Sequence, residues 1–496
     1  MRGDKRFVAA GAMLAALLLF AGSAAADNRL VGESGYGVHE NTMEAKNGKY
    51  YSAGMDLVYA QIASGSAAGK TRAFLKCEDG KWGTSQYAIQ VNMYDYRGNF
   101  VMSLVDGVNP YPNPETKRIY ASALKVQPLP DEDGNRVIWF AMTGSGAGDW
   151  YTVAVAPDFD SVVVPPQPQF SLPGNWDIAW NPVDGRPFFT GKETASWTDP
   201  NAIWIQTLGG SKQKVVDIGG YGTGLAFDPA GNLYTGTYTE TGPITQQHVW
   251  MYTQAQVAAA IAGNYVLTGP SGAYPPTNVI SIPANENGVY LGLNYLVSDP
   301  EGNIYLTANG SFDPAYESDV GYVFRIDAWD PSNPPTTMTR IAASNKDKIL
   351  PDWQKALVFD GSSSLAAGGH YNPTNPSQMG NRLYVDQHFK SGTGGPDVVS
   401  GLSTDTDTDN DGVPDALDNA YLTANAGQQD TDRDMYGNIA DGDFDNDGNV
   451  GVNDYNYFRS KWLGSDPDAD MDSNGDVGLN DLNLFKGRWM KSAPYF

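Results

Sequence analysis

Two stretches near the C-terminus, DFDNDGNVGVND over 443–454 and DMDSNGDVGLND over 470–481, place acidic or amide side chains at alternating positions. Calcium prefers six to eight hard oxygen ligands. A twelve-residue loop supplies them when positions 1, 3, 5 and 12 carry carboxylates or amides, position 7 lends its carbonyl and position 6 is a turn glycine. In the first stretch those places fall on Asp443, Asp445, Asp447, Asp454, Asn449 and Gly448. In the second, Asp470, Asp472, Asn474, Asp481, Asp476 and Gly475 take the same roles, and Val450 and Val477 occupy the inward-pointing position 8. The starts differ by 470 − 443 = 27 residues. The chemistry expected is binding of one Ca2+ ion by each loop.

A similar spacing precedes this pair. TDTDNDGVPDALDNA offers Asp407, Asp409, Asp411 and Asp418 around Gly412, and DTDRDMYGNIAD offers Asp430, Asp432, Asp434 and Asp441, with Met435 at the place of the turn glycine. Residues 401–496 hold 20 Asp and six Lys or Arg, giving 6 − 20 = −14 of the chain's net −25. Such a surface attracts cations and repels nucleic acid and anionic membranes.

Each strong loop needs a helix to hold its last ligand in place. Tyr455, Phe458 and Trp462 recur as Leu482, Phe485 and Trp489 after the same shift, spaced as one face of a helix. Two such faces can pack on each other. This duplicated loop–helix unit, with Asp where an EF-hand has Glu at position 12, resembles the type I dockerin family over about 443–491. The resemblance implies calcium-dependent folding and docking of the helices onto a cohesin partner or another cell-surface protein. The docking positions would include Val452, Asn453, Arg459, Ser460, Leu479, Asn480, Lys486 and Gly487. The upstream loops resemble thrombospondin type 3 repeats, in which calcium organises a chain with little apolar core.

The N-terminus sets the expected compartment. Arg2, Lys5 and Arg6, an apolar run over 7–22 and Ala24-Ala25-Ala26 read as a signal peptide over 1–26, so the mature chain is expected to be secreted with no membrane span. Cys77 stands alone and is expected to be a small buried side chain.

Residues 27–390 are rich in Gly, Tyr, Trp and Thr, with short apolar runs between turns, an all-β texture. AFDPAGNLYTG (226–236) and VSDPEGNIYLTA (297–308) repeat one hairpin, with looser copies at 91–102, 126–140, 178–191 and 370–385. Asp caps such a turn, Pro fixes a dihedral and Gly takes positive φ. One hairpin cannot bury its own face, so a β-propeller of six or seven blades is expected, with a small all-α module at the C-terminus. An Ala-rich helix and a surface loop are expected over 253–283. A linker is expected over 391–404, the thrombospondin-like loops over 405–442 and the paired module over 443–496.

For the propeller itself, no nucleophile elbow or phosphate loop is present, and His39, His248, His370 and His388 show no zinc-ligand spacing. Asp177, Glu193, Asp228, Glu240, Glu286, Glu301, Glu317 and Asp386 are the carboxylates that could face one another across a sugar-binding groove. Trp150, Trp176, Trp197 and Trp204 could stack on sugars or fill space between sheets. The function expected is a calcium-binding propeller serving as a binding or scaffold component of an extracellular assembly. The alternative is a secreted carbohydrate-active enzyme, a glycoside hydrolase or lyase acting on a polysaccharide.

Overall fold

The computed structural model describes residues 30–491, apart from 35, 43–50, 63–68, 80–88, 96–98, 109–118, 145–146, 195, 197–198, 208–209, 221–223, 238–245, 285–287, 289 and 300 in the first part of the chain. In the second part the segments 310–320, 345–351, 360–382, 390–397, 405–408, 412–418, 421, 428, 432–436 and 446–448 also lie outside the described residues. The expected signal peptide falls wholly outside them.

The repeated turns build meanders, in which each strand pairs with the next in sequence. Five sheets each hold a four-stranded meander, starting at Tyr51–Ile62, Ile119–Val126, Ile178–Trp180, Ala226–Phe227 and Gly292–Ser298. Four of these run through consecutive strands, and in the one from Ala226 the strand Leu267–Thr268 intervenes before the fourth, Asn278–Ser281. A sixth sheet is composite: Asp352–Phe359, Leu383–Phe389 and Val398–Thr404 are joined by the N-terminal strand Tyr36–Thr42. The first strands of successive sheets lie side by side, and Asp352–Phe359 returns to Tyr51–Ile62. This is a β-propeller arrangement. The six or seven blades expected from the turn repeats are not matched: among the described residues the strands give five complete meanders and one composite sheet in which the N-terminal strand pairs with Val398–Thr404.

The closure corrects one boundary. The Gly- and Ser-rich stretch expected to be a linker over 391–404 contains the strand Val398–Thr404, paired on both sides. Beside it, Leu30–Gly32 adds an outer strand to Thr339–Ser344, and Arg340 Nε donates to Glu33 Oε2 at 2.6 Å.

The hairpin motif is explained atom by atom. Asp299 Oδ1 accepts from Asn303 N–H (2.8 Å), Oδ2 accepts from Asn303 Nδ2 (2.7 Å) and from Tyr305 Oη (3.2 Å), and Gly302 takes φ +91°. Asp228, Asn232, Tyr234 and Gly231 repeat the set at 2.8, 2.7 and 3.5 Å with φ +84°. The shared tyrosine of the two copies is therefore a third anchor for the turn carboxylate. Burial beside that carboxylate pushes the Tyr234 phenol up, so it donates throughout the physiological range. The copy at 126–140 closes the same way through Asp131 and Asn135, on the surface. The copy at 91–102 does not take the same place: it joins the third and fourth strands of its sheet, whereas the others join the first and second. Most of the copy at 370–385 lies outside the described residues.

Asp299→Ala leaves three donors without their acceptor and is expected to destabilise the propeller by about 2–3 kcal/mol. Asp131→Ala, at the exposed copy, should do far less. Thermal unfolding of the two variants side by side checks the contrast.

Apolar faces fill the spaces between sheets. One cluster joins Leu75, Val91 and Met93 to Leu124, Ile138 and Phe140, and another holds Trp139, Trp150, Phe189 and Trp204. Trp150 and Trp204 thus pack the interior, and Cys77 is buried as expected. The expected helix is α1, Gln254–Ile261, capped by Thr253 in a reciprocal arrangement with Gln256. It packs on Lys212–Asp217, and the following Leu267–Thr268 pairs with that strand in parallel. The insertion therefore fastens one sheet to its neighbour at the rim. Among the described residues, no helix is long and apolar enough to cross a membrane.

Candidate metal centres in the C-terminal module

Two helices succeed the two loops: α2, Val452–Lys461, and α3, Leu479–Arg488. Each begins inside its loop, because the position-12 aspartate is also the third residue of the helix. Asp454 Oδ2 accepts from Gly451 N–H and Asp481 Oδ2 from Gly478 N–H, both at 2.7 Å. The other oxygen reaches back to the loop, where Asp454 Oδ1 accepts from Asp445 N–H (3.2 Å) and Asp481 Oδ1 from Asp472 N–H (3.0 Å). A short aspartate at position 12 suffices because the helix N-terminus delivers it to the loop and favours its charge.

The apolar residues recurring at a shift of 27 form the module's core. Phe458 and Phe485 are buried and stack at 5.3 Å, with Phe444 5.8 Å from Phe485. Val450 and Val477 are buried from the loop side, as position 8 requires.

That packing gathers the carboxylates. Asp443, Asp445 and Asp454 each offer an oxygen within 4.8 Å of the others, and Asp470, Asp472 and Asp481 do the same. Asp443 and Asp481 are 1% and 0% exposed, too buried for ordinary solvated acids. In the second loop Asp470 accepts from Asn474 N–H (3.0 Å) and Gly475 N–H (2.8 Å), and Gly475 takes φ +101°. Burial, and then the charge of Asp445, push the Asp454 carboxyl up. Asp470 is raised by burial and by Asp481 and Asp472. Such clusters of like charge fit a hard cation whose charge would relieve them.

Other expected ligands are placed differently. Asn449, Asn474 and Asp476 are exposed on the loops, and Asp447 lies outside the described residues. Of the upstream acids, Asp407, Asp418, Asp432 and Asp434 also lie outside them, while Asp409, Asp411, Asp430 and Asp441 are not gathered into a cluster among the described residues. Instead, Asp411 accepts from Asn425 N–H (2.7 Å), and Asp441 accepts from Asp443 N–H (2.9 Å). Asn438 Nδ2 donates to Pro467 O (2.5 Å), tying the upstream segment to the link between the paired loops.

No protein-family model matches this chain. A comparison with curated proteins finds no match either. Among solved structures, the soluble aldose sugar dehydrogenase from Escherichia coli aligns at a TM-score of 0.42 and 8% identity, over 74% of this chain and 100% of that one. A glucose dehydrogenase aligns at 0.41 and 10%, over 75% and 98%. A gluconolactonase from Xanthomonas campestris aligns at 0.32 and 12%, over 75% and 100%.

In the propeller, Asp177 and Asp228 are the described candidate carboxylates with structural roles. Asp177 is buried and accepts from Ile178 N–H (2.9 Å) and from Leu225 N–H (3.0 Å), joining two neighbouring sheets. Asp228 holds its turn, Glu193 lies 3.5 Å from Lys214, and Glu301 sits beside Asp299. Glu240, Glu286 and Glu317, the side chain of Asp386, and Trp197 lie outside the described residues. Trp176 stacks on Tyr295 at 5.9 Å, and Tyr295 Oη donates to Ser122 O (3.4 Å) on the first strand of another sheet.

Burial pushes the Asp177 carboxyl up to about 6 against a partly opposing Lys125. A folded value above the unfolded one means the stability tied to the protonated form is complete below about pH 4 and is lost as pH rises through about 6. The loss amounts to about 3 kcal/mol. The expected result is that wild type loses this much relative to Asp177→Asn between pH 4 and pH 8, measured by urea unfolding. A constant gap would show that Asp177 does not titrate in this range.

Proposed function

We propose that this chain is a secreted calcium-binding β-propeller protein that serves as a binding or scaffold component of an extracellular or cell-surface assembly, attached through its C-terminal module. One observation carries the reading: two carboxylate triads, Asp443/Asp445/Asp454 and Asp470/Asp472/Asp481, converge at equivalent places 27 residues apart, each built into the start of a helix. Asp447, Asn449, Asn474 and Asp476 complete the ligand sets, and the upstream loops take further ions. Bound calcium supplies the positive charge that offsets the crowded carboxylates. The mature chain is secreted after cleavage of residues 1–26.

The attachment surface is formed by α2 and α3. Val452 and Leu479 are 65% and 66% exposed, and Asn453, Arg459, Ser460, Asn480, Lys486 and Gly487 are exposed with them. A cohesin-like protein is the partner class that this pattern suits.

The test is circular dichroism and limited proteolysis of the full chain with calcium and with chelator. Calcium should increase helicity and protect residues 405–496, and Asp443→Ala combined with Asp470→Ala should abolish both effects. An unchanged spectrum and digestion pattern in wild type would refute the reading.

A further inference from the structure

Two pairs of backbone hydrogen bonds cross between the halves of the C-terminal module. Val450, in the first loop, donates its N–H to Lys491 O (2.9 Å) and accepts from Met490 N–H (3.0 Å). Val477, in the second loop, donates to Gly464 O (2.9 Å) and accepts from Leu463 N–H (3.0 Å). The first loop is thus bonded to the chain leaving α3, and the second to the chain leaving α2.

The charged ends of the helices cross in the same sense. Lys461, in the last turn of α2, lies 2.6 Å from Asp466, whose carbonyl accepts from the N–H of Asp470 (3.0 Å), the first residue of the second loop. Arg488, in the last turn of α3, faces the charge of Asp441, whose carboxylate accepts from the N–H of Asp443 (2.9 Å), the first residue of the first loop.

The crossing segments are held in an unusual backbone conformation. Leu463 and Met490 have φ of +59° and +62°, a region non-glycine residues seldom adopt. Their side chains are 78% and 76% exposed, so burial of those side chains does not explain it. Such strain persists where the surroundings over-determine it, and here the bonds to the opposite valine do so in both copies.

We infer that each metal loop is closed by the chain leaving the opposite helix, so that filling one loop makes the other easier to fill. This rests on the calcium reading above. Fixing Val450 in a filled first loop fixes residues 490–491 and with them the end of α3. Because α3 starts at the second loop's Asp481, that loop then has less chain left to order.

The experiment is calcium titration of the full chain by calorimetry, with Asp470→Ala leaving the first loop as the binder and Asp443→Ala leaving the second. Met490→Pro removes the donor to Val450 and forbids positive φ. It should weaken the first loop about tenfold or more and spare the second, although residue 490 is nearer the second in sequence. Leu463→Pro should weaken the second and spare the first. A chain ending at Trp489 removes both partners of Val450 without introducing proline, and should behave as Met490→Pro does. Circular dichroism at saturating calcium shows in each case that the helices are present. For Met490→Pro, loss at the second loop, loss at both loops or no loss would each overturn the inference, and for Leu463→Pro loss at the first loop, at both loops or at neither would do the same. A wild-type chain that takes up no calcium would remove the underlying reading, and this inference with it.

Discussion

Gly224→Ala should destabilise the closed propeller, because it forces two first strands apart. A β-carbon at Gly224 would lie 2.6 Å from Tyr295 Cα and 2.7 Å from Leu296 N, both backbone atoms of the next sheet's first strand. Backbone cannot swing aside as a flexible side chain can. Gly224 N–H also donates to Asn294 O at 2.6 Å, so separating the strands breaks a buried hydrogen bond as well. Overpacking of this kind costs about 1–3 kcal/mol, and more where the obstacle is main chain. Gly54 is the same device between two other sheets, its β-carbon site blocked by the backbone of Ala123 and Leu124. Calorimetric unfolding should show the propeller transition lowered by several degrees in either variant, with the module's transition unmoved. An unchanged propeller transition would mean that the first strands are not packed this closely.

The second large effect is expected in the module. Phe485 is 1% exposed and is stacked on both Phe458 and Phe444. Phe485→Ala removes the centre of a core with few other members and should cost about 3–5 kcal/mol. A unit this small has little stability to spare. Ligand that binds only the folded form at about 100 times its dissociation constant restores about 2.7 kcal/mol per site. The variant module is therefore expected to be unfolded in chelator and to regain helicity at saturating calcium, while the propeller is unaffected. Full helicity in chelator, measured by far-ultraviolet dichroism, would show that packing at Phe485 is dispensable.

Much of this organisation could be read in the sequence because its grammar is local. Asp-Pro-x-Gly-Asn specifies a hairpin through one carboxylate and one glycine, and Asp228 and Asp299 use it as expected. What the turn cannot specify is its place in a sheet. Hence the copy at 91–102 reads alike but joins outer strands. Closure by Tyr36–Thr42 depends on pairing with Val398–Thr404, at the far end of the propeller in sequence, and no local pattern announces it. Strand Val398–Thr404 is hidden by its Gly, Ser and Thr content, which suits a linker equally well. In the module, the shift of 27 reveals the ligands and the aromatic core together. The crossed backbone bonds leave one trace only: the shift carries Leu463 onto Met490, an apolar pair lying beyond the helical face.

Equilibrium dialysis of the full chain against calcium, with metal counted per chain, tests the central claim most directly. Wild type should hold two more ions than the Asp443→Ala, Asp470→Ala double variant at the same free calcium. Equal counts in the two proteins would contradict it.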